Sequence, residues 1–239
     1  MQLKQALEYS AFPFLLCFSL VLGQGGDTIR VYKTNKPPVI DGTLADWDRA
    51  YCIGGFTGEK NHALTKGSWK GFAKDYQCET YACHDDSFMY IGWKTLVDDE
   101  SIVGRGWEKV CGDNIKLCLG GWSDVIYLWN DTVVPGRNPE YMNFNYHLKV
   151  GITRGKLPVY EIRIPKQEIR LYYDGSPPYA FMNIMTEDYD NKCSEYDFWG
   201  IGFTLPDSLD KRDDNWNQWE NPWYFPVFLF YNTIPVQRK

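Results

Sequence analysis

The chain has 239 residues and a formal net charge of -6 at pH 7, with 25 Lys and Arg against 31 Asp and Glu. This acidic balance argues against nucleic acid and anionic membranes as partners, because both select for basic patches on a protein. The 10 Trp, 17 Tyr and 13 Phe exceed what a core of this size usually needs, so we expect some of the rings to be exposed for stacking.

Residues 1–23 have the pattern of a secretory signal peptide. Lys4 gives a weak positive start, and Ala11 to Leu22 form an apolar run apart from one serine and a cysteine. The run is short for a membrane span, which needs about 20 apolar residues, although an uncleaved anchor is the alternative. We expect cleavage near Gly23 or Gly25, a secreted extracellular product, and no membrane insertion after cleavage.

Cysteine usage agrees with export. Cys17 leaves with the signal peptide, and an even number at irregular spacing in the rest of an exported chain predicts three disulfide bonds, whose pairing the sequence does not choose. A zinc site is the competing interpretation, but there is no C-x-x-C pair and the three histidines are scattered. The predicted disulfide cysteines are Cys52, Cys78, Cys83, Cys111, Cys118 and Cys193. In the same compartment, Asn130 is predicted to be an N-glycosylation site.

Turn signals and alternating apolar residues predict strands along most of the chain. The stretch from Pro37 to Ala50 contains the turn signal Asp41-Gly42 and then Trp47, and predicts a tucked turn that delivers one large ring into a core. Downstream, a short Asp-Asp-Ser turn predicts a hairpin. Its two strands and the further predicted strands are Thr80 to Cys83, Phe88 to Lys94, Asp113 to Leu119, Asp124 to Trp129, Tyr146 to Thr153, Val159 to Ile164, Tyr179 to Met185 and Val227 to Tyr231.

Two of these segments allow finer predictions. In Asp113 to Leu119 the apolar residues alternate with polar ones, which predicts one buried face and places Cys118 on the other face. Only Pro165 to Leu171 could form a helical turn. No linker or internal repeat divides the chain, so we predict an all-β fold, a single disulfide-linked, jelly-roll-like β-sandwich covering residues 28–236.

Five short segments stand in a characteristic order between about residues 37 and 230. They are Ile40 to Ala50, His84 to Trp93, Gly112 to Leu117, Tyr160 to Pro165 and Met182 to Asp190. Their motifs and their order resemble those of the family 9 carbohydrate-binding modules and their relatives in the DOMON-like superfamily. Each segment is only a few residues long, so the number and the order of the segments carry the resemblance.

The resemblance implies a sugar-binding site made by two tryptophans in loops. One precedes the strand that starts at Asp113, and the other precedes the last strand. A sugar ring has an apolar face of C–H bonds edged by hydroxyls, so its site needs flat aromatic surface with polar groups at the rim. The tryptophans that match are Trp107 and Trp219, with polar neighbours Glu108, Glu220 and Asn221, and with Trp216 close enough to extend the surface.

The resemblance also bears on metals and cofactors. Family members hold structural calcium in loops, and Asp98 and Asp99 are the candidate ligands, because calcium takes carboxylate oxygens; a solvated acidic loop is the alternative. Some DOMON-like domains hold haem between a Met and a His, for which Met142 and His147 are available, although such residues in strands are more often core.

No catalytic motif is present, and the spacing of the carboxylates selects no acid and nucleophile pair. The sequence therefore predicts a secreted non-catalytic protein that binds a polysaccharide or the glycan of a glycoprotein. Two alternatives stay open: a secreted structural or protein-interaction sandwich that has lost sugar binding, and a haem-binding DOMON-like domain.

Overall fold

The computed structural model describes residues 28–56, 62–66, 74, 76–98, 114–119, 125–129, 133–135, 147–169, 171–173, 177–189, 198–202 and 226–233. The strands within these ranges are β1 Thr28–Lys33, β2 Cys52–Phe56, β3 His62–Lys66, β4 Tyr76–His84, β5 Phe88–Asp98, β6 Asn114–Cys118, β7 Val125–Trp129, β8 Val133–Pro135, β9 Lys149–Thr153, β10 Val159–Pro165, β11 Tyr179–Phe181, β12 Asn183–Tyr189, β13 Phe198–Gly202 and β14 Val227–Tyr231. Short 3₁₀ helices lie at Arg49–Tyr51 and Lys166–Glu168. Within the ranges described, no helix is long and apolar enough to cross a membrane.

The strands form two sheets. The eight-stranded sheet has the order β11-β14-β1-β4-β5-β10-β9, with β2 also paired to β4, and the six-stranded sheet has the order β3-β13-β12-β6-β7-β8. In the larger sheet β1 runs parallel to both of its neighbours, β14 and β4, while β4, β5, β10 and β9 are successively antiparallel. The first and the last described strands of the chain are therefore direct neighbours.

The core lies between the two sheets. Apolar side chains of the larger sheet, including Trp93 and Ile162, pack in one cluster with Leu117 and Ile184 of the smaller sheet. One hydrogen bond also crosses the interior, since Thr186 Oγ1 on β12 donates to the hydroxyl of Tyr76 on β4 at 3.3 Å. Two strand layers around a shared apolar core confirm the predicted all-β sandwich. Its jelly-roll-like connectivity stays a prediction.

The predicted hairpin is present as β4 and β5, joined by a turn at Asp85, Asp86 and Ser87. The Asp85 carboxylate accepts from the backbone N–H groups of Ser87 and Phe88, both at 2.7 Å, and from the hydroxyl of Tyr90 at 2.6 Å. Burial opposes the charge of Asp85, but these donors outweigh it and lower the pKa of the carboxyl. The turn is thus closed by its own first side chain.

The predicted strand Tyr179 to Met185 is in fact two strands in different sheets. Tyr179–Phe181 pairs with β14 in the larger sheet, and Asn183–Tyr189 pairs with β6 and β13 in the smaller one. Met182 is the crossing residue and is buried. Alternation of apolar residues reports burial and not the identity of the partner strand, so it does not show such a crossing.

The prediction that only one face of the Asp113 to Leu119 segment is buried also needs correction. Ile115, Leu117 and Leu119 are buried as predicted, but Cys118 between them is fully buried as well. Alternation separates a buried from an exposed face only where one face of the strand is open to solvent. The helical turn predicted in Pro165 to Leu171 is confirmed as the 3₁₀ helix Lys166–Glu168.

The structure corrects the prediction that all six cysteines form disulfide bonds. Cys52 and Cys83 are free thiols, and no two of the four cysteines that the structure describes are bonded to each other. Cys83 is enclosed with Ile40 and Tyr90, where a cysteine packs as a small apolar side chain, and burial raises the pKa of its thiol to about 12. The other two described cysteines are the buried Cys78 and Cys118, while Cys111 and Cys193 lie outside the described residues.

Candidate functional site

A buried carboxylate on β10 holds the stretch that follows β1. Glu161 is 0 % exposed, and its Oε2 accepts from three successive backbone N–H groups, those of Asp41 (2.9 Å), Gly42 (2.6 Å) and Thr43 (3.1 Å). Its Oε1 accepts from the indole N–H of Trp47 at 2.7 Å. One side chain therefore fixes both the turn and the ring that the sequence places five residues later.

Glycine is required where this turn meets the sheet. Gly42 has φ +93°, and a Cβ built there would lie 2.9–3.1 Å from the backbone of Ile152 on β9. A Cβ on Gly151 of β9 would lie 2.4 Å from the backbone nitrogen of Gly42. Thr153 Oγ1 donates to Gly42 O at 2.6 Å, so the turn is bonded to β9 as well as to β10. The backbone-to-backbone contact leaves no room for a side chain.

The stretch covers the outer face of the larger sheet. Ile40 packs with Cys83 and Tyr90 in a cluster separate from the core between the sheets, and the partly buried Trp47 packs against this cluster. The prediction that the Trp47 ring enters a core is confirmed, with the difference that this core is the outer cluster. A charged residue in an apolar strand, as in Val159 to Ile164, is the signal that could have indicated Glu161.

Glu161 is suited to structure and not to proton transfer. Burial disfavours its charge and raises the pKa of the carboxyl, and the donors from Trp47, Asp41 and Gly42 act in the opposite direction. All four hydrogen bonds to the carboxylate come from the chain itself, and the side chain is fully enclosed. A carboxylate in this position orients a loop and has no access to a substrate.

Most of the predicted binding residues lie outside the part of the chain that the structure describes. These are Trp107, Glu108, Trp216, Trp219, Glu220 and Asn221 of the sugar site, Asp99 of the calcium site, Met142 of the haem site, and Asn130. Their roles stay predictions. The segments that carry the two tryptophans adjoin described strands, since β5 precedes the first segment and β14 follows the second.

Two of the predicted metal and haem residues are described. Asp98 ends β5 opposite Tyr76 of β4 and is 3 % exposed. His147 is largely exposed, and its Nδ1 lies 2.7 Å from Glu168 Oε1, on the 3₁₀ helix after β10. The described ranges contain no group of three or more His, Cys, Asp or Glu that could hold a metal ion. Calcium and haem both stay predictions.

A second polar cluster lies at the tip of the β4–β5 hairpin. His84, 3 % exposed, has Nε2 3.0 Å from the carbonyl oxygen of Tyr231, and because a carbonyl only accepts, this nitrogen carries the proton. His84 Nδ1 also lies 3.1 Å from Asp85 O, but Lys166 Nζ is closer, at 2.8 Å, and a neutral ring with its proton on Nε2 accepts there from the ammonium. The same ammonium donates to Asp85 O. Burial lowers the pKa of His84, which keeps its ring neutral, and burial likewise lowers the pKa of Lys166.

No protein-family model and no curated protein matches the chain. Among solved structures, it is similar to a family 9 carbohydrate-binding module from Caldicellulosiruptor kristjanssonii in complex with cellotriose, with 12 % identity over 87 % of this chain and 96 % of that one, at a TM-score of 0.51. A structure of a family 9 module from the same organism in complex with glucose gives 12 % identity, 88 % and 100 % coverage, and a TM-score of 0.49. At this identity the first comparison shows a shared fold: the chain is folded as a family 9 carbohydrate-binding module is.

Proposed function

We propose that this protein is a non-catalytic carbohydrate-binding protein that stacks a sugar ring between Trp107 and Trp219. The observation that carries the proposal is the fold shared over 87 % of the chain with a module that was solved in complex with cellotriose. Two of the five segments named above also meet in the fold, since Glu161 of the fourth segment binds the turn and the tryptophan of the first.

The strand register supports a common location for the two tryptophan segments. In the larger sheet β1 is parallel to β4 and β14, and β5 is antiparallel to β4. The end of β5 at Asp98 and the start of β14 at Val227 therefore lie at the same end of that sheet. The segment with Trp107 leaves β5 there, and the segment with Trp219 enters β14 there. Attachment to one end of the sheet is what two facing rings require.

The chemistry of the proposed site is stacking with polar contacts at the rim. Each ring offers a flat apolar face to the C–H bonds of the sugar, and Glu108, Glu220 and Asn221 are the groups that would reach its hydroxyls. Trp216 would extend the aromatic surface. A ring held between two faces is reached most easily at a chain end, so we propose a terminal sugar of a polysaccharide or of a glycoprotein glycan as the ligand.

The absence of catalysis is part of the proposal. The described carboxylates of Asp85 and Glu161 are each occupied by three or more hydrogen bonds from the chain, which suits structural roles. A glycosidase needs two carboxyl groups facing one glycosidic bond. Secretion after removal of residues 1–23, glycosylation at Asn130 and calcium at Asp98 and Asp99 belong to the same proposal as predictions from the sequence.

A glycan array that includes neutral cello-oligosaccharides tests the proposal, followed by titration of the best ligand into Trp107→Ala and Trp219→Ala. Loss of one stacked ring removes about 1 kcal/mol or somewhat more, so each variant should bind roughly tenfold more weakly. Leu157→Ala, which removes an exposed apolar side chain in the turn between β9 and β10, is the control and should bind the ligand as the unaltered protein does. The absence of any bound glycan, or an equal loss in the control, would contradict the proposal.

A further inference from the structure

A pocket of about 320 Å³ lies beside the tip of the β4–β5 hairpin. Its volume is at the lower end of the range for small-molecule sites. The lining includes His84, Asp86 and Lys166 on the polar side and Leu171, Tyr173 and Phe230 on the apolar side. A half-apolar, half-polar lining of this kind fits an amphipathic ligand.

Lys166 brings an unused hydrogen-bond donor and a positive charge to this pocket. An ammonium has three N–H groups. Two of them are taken, by His84 Nδ1 at 2.8 Å and by Asp85 O, and the neighbouring ring of Phe230 lies 5.8 Å from the nitrogen. The third N–H has no partner in the described chain, and Lys166 lines the pocket.

The nearby carboxylates do not pair directly with Lys166. The side chain of Asp85 is occupied by its own turn and by Tyr90, as described above. Asp86 also lines the pocket, but its carboxylate is 87 % exposed and its charge is balanced by Lys33 at 2.5 Å. The half-buried charge of Lys166 is therefore balanced only at longer range within the described residues, and an anionic group on a ligand would give it a direct partner.

Tyr173 supplies an aromatic surface next to this charge. The preceding residue is fixed, since Tyr172 and Tyr179 exchange two backbone hydrogen bonds of 2.7 and 3.0 Å and their rings stack with centroids 5.2 Å apart. Tyr173 follows immediately and is 75 % exposed. A large ring exposed to this degree on an anchored backbone can stack on a ligand with little loss of conformational entropy.

We propose that this pocket is a second ligand site, for an acidic sugar unit, meaning a pyranose ring that carries a carboxylate. Lys166 binds the carboxylate and the Tyr173 ring stacks on the C–H face of the sugar. The exposed amides of Gln167 and Asn232 lie within reach of its hydroxyls at the rim. A hydroxyl of a neutral sugar can also accept this N–H, but only a carboxylate balances the charge of Lys166 as well, so the site selects for the acid. This site is independent of the one proposed between Trp107 and Trp219.

The site is tested by calorimetric titration of the full chain with glucuronate and with galacturonate. Glucose and galactose are the neutral comparisons, and acetate tests whether a carboxylate alone is enough. We expect at least one uronate to bind about tenfold more tightly than its neutral counterpart and than acetate, and its binding to weaken as salt is raised. Equal binding of acetate, or no preference for the uronates over the neutral sugars, would overturn the assignment.

Three variants locate the site. Lys166→Met keeps an apolar stem and should lose about tenfold in uronate affinity, whereas Lys156→Met, an exposed lysine in the turn between β9 and β10, should lose nothing. Because Lys166 also bonds Asp85 O, its variant is accompanied by a thermal unfolding curve. Tyr173→Ala tests the same pocket without that contact and should also weaken uronate binding.

Trp107→Ala should leave uronate binding to this pocket unchanged. A loss in Trp107→Ala with none in Tyr173→Ala would place acidic sugars in the tryptophan site and refute the second site. A loss in Tyr173→Ala alone would leave the second site standing even where the tryptophan proposal fails.

Discussion

Replacement of Glu161 should destabilise the fold more than replacement of a surface carboxylate, because four hydrogen-bond donors converge on Glu161. In Glu161→Ala the N–H groups of Asp41, Gly42 and Thr43 and the indole N–H of Trp47 lose their acceptor at once. A buried group left without its partner costs about 1–3 kcal/mol, and groups that water can reach cost less. Because the Gly42 bond is buried and the others are partly buried, we expect a loss of about 3–5 kcal/mol in the free energy of unfolding.

The variant Glu161→Gln separates charge from shape. Its amide oxygen still serves the three backbone donors, but its NH₂ group then faces the indole N–H of Trp47, so one donor meets another. We expect this variant to lose about 1–3 kcal/mol, less than the alanine variant. Asp86→Asn, whose carboxylate is exposed and pairs only with Lys33 on the surface, is the control and should change stability little.

Urea unfolding of the three variants at pH 7 measures how much free energy of unfolding each loses. Amide hydrogen exchange shows which part of the chain each substitution loosens. The amides of Asp41, Gly42 and Thr43 should lose protection in both Glu161 variants and keep it in Asp86→Asn. A cost below about 1 kcal/mol for Glu161→Ala, with these amides still protected, would show that the carboxylate does not hold the turn.

The remaining predictions concern protons and thiols. Burial lowers the pKa of His84, so this residue binds a proton more weakly in the folded chain than in the unfolded chain. The urea midpoint should therefore fall as the pH drops below about 6.5. The exposed His147→Gln variant should keep this fall, and a flat midpoint between about pH 7 and 5 would contradict the role given to His84. A thiol reagent should label Cys52 in the native protein and Cys83 only after unfolding, because Cys83 is enclosed and its pKa is raised to about 12; mass spectrometry that finds either residue in a disulfide would contradict this.

The sequence predicted the elements whose causes are local. The β4–β5 hairpin follows from two alternating runs around an Asp-Asp-Ser turn, and the 3₁₀ helix Lys166–Glu168 follows from the polar residues after Pro165. The bond from Trp47 to Glu161 spans 114 residues, and no pattern within either segment shows that they meet. The residues paired between β1 and β14 are still farther apart, at 199 positions, and parallel strands leave no turn signal between them.

Of the two candidate sites, the sequence predicted one and could not predict the other. Trp107 and Trp219 come from a resemblance in motif order and stay predictions, since both lie outside the described residues. The pocket at Lys166 and Tyr173 could not be predicted, because its lining comes from the hairpin tip, the 3₁₀ helix, the loop before β11 and the end of β14. Only the folded arrangement brings these four segments together.

The parallel pairing of β1 sets a constraint on the order of folding during synthesis. Until β14 emerges, β1 has only two residue pairs with β4, at Tyr32 and Lys33, whereas β14 later adds five along its whole length. An early strand with an unpaired edge is open to association with other chains. Contacts between the two ends of a sequence are also the slowest to form. The larger sheet therefore closes only after Val227–Tyr231 has been added to the chain, and until then most of the length of β1 lacks its partner strand.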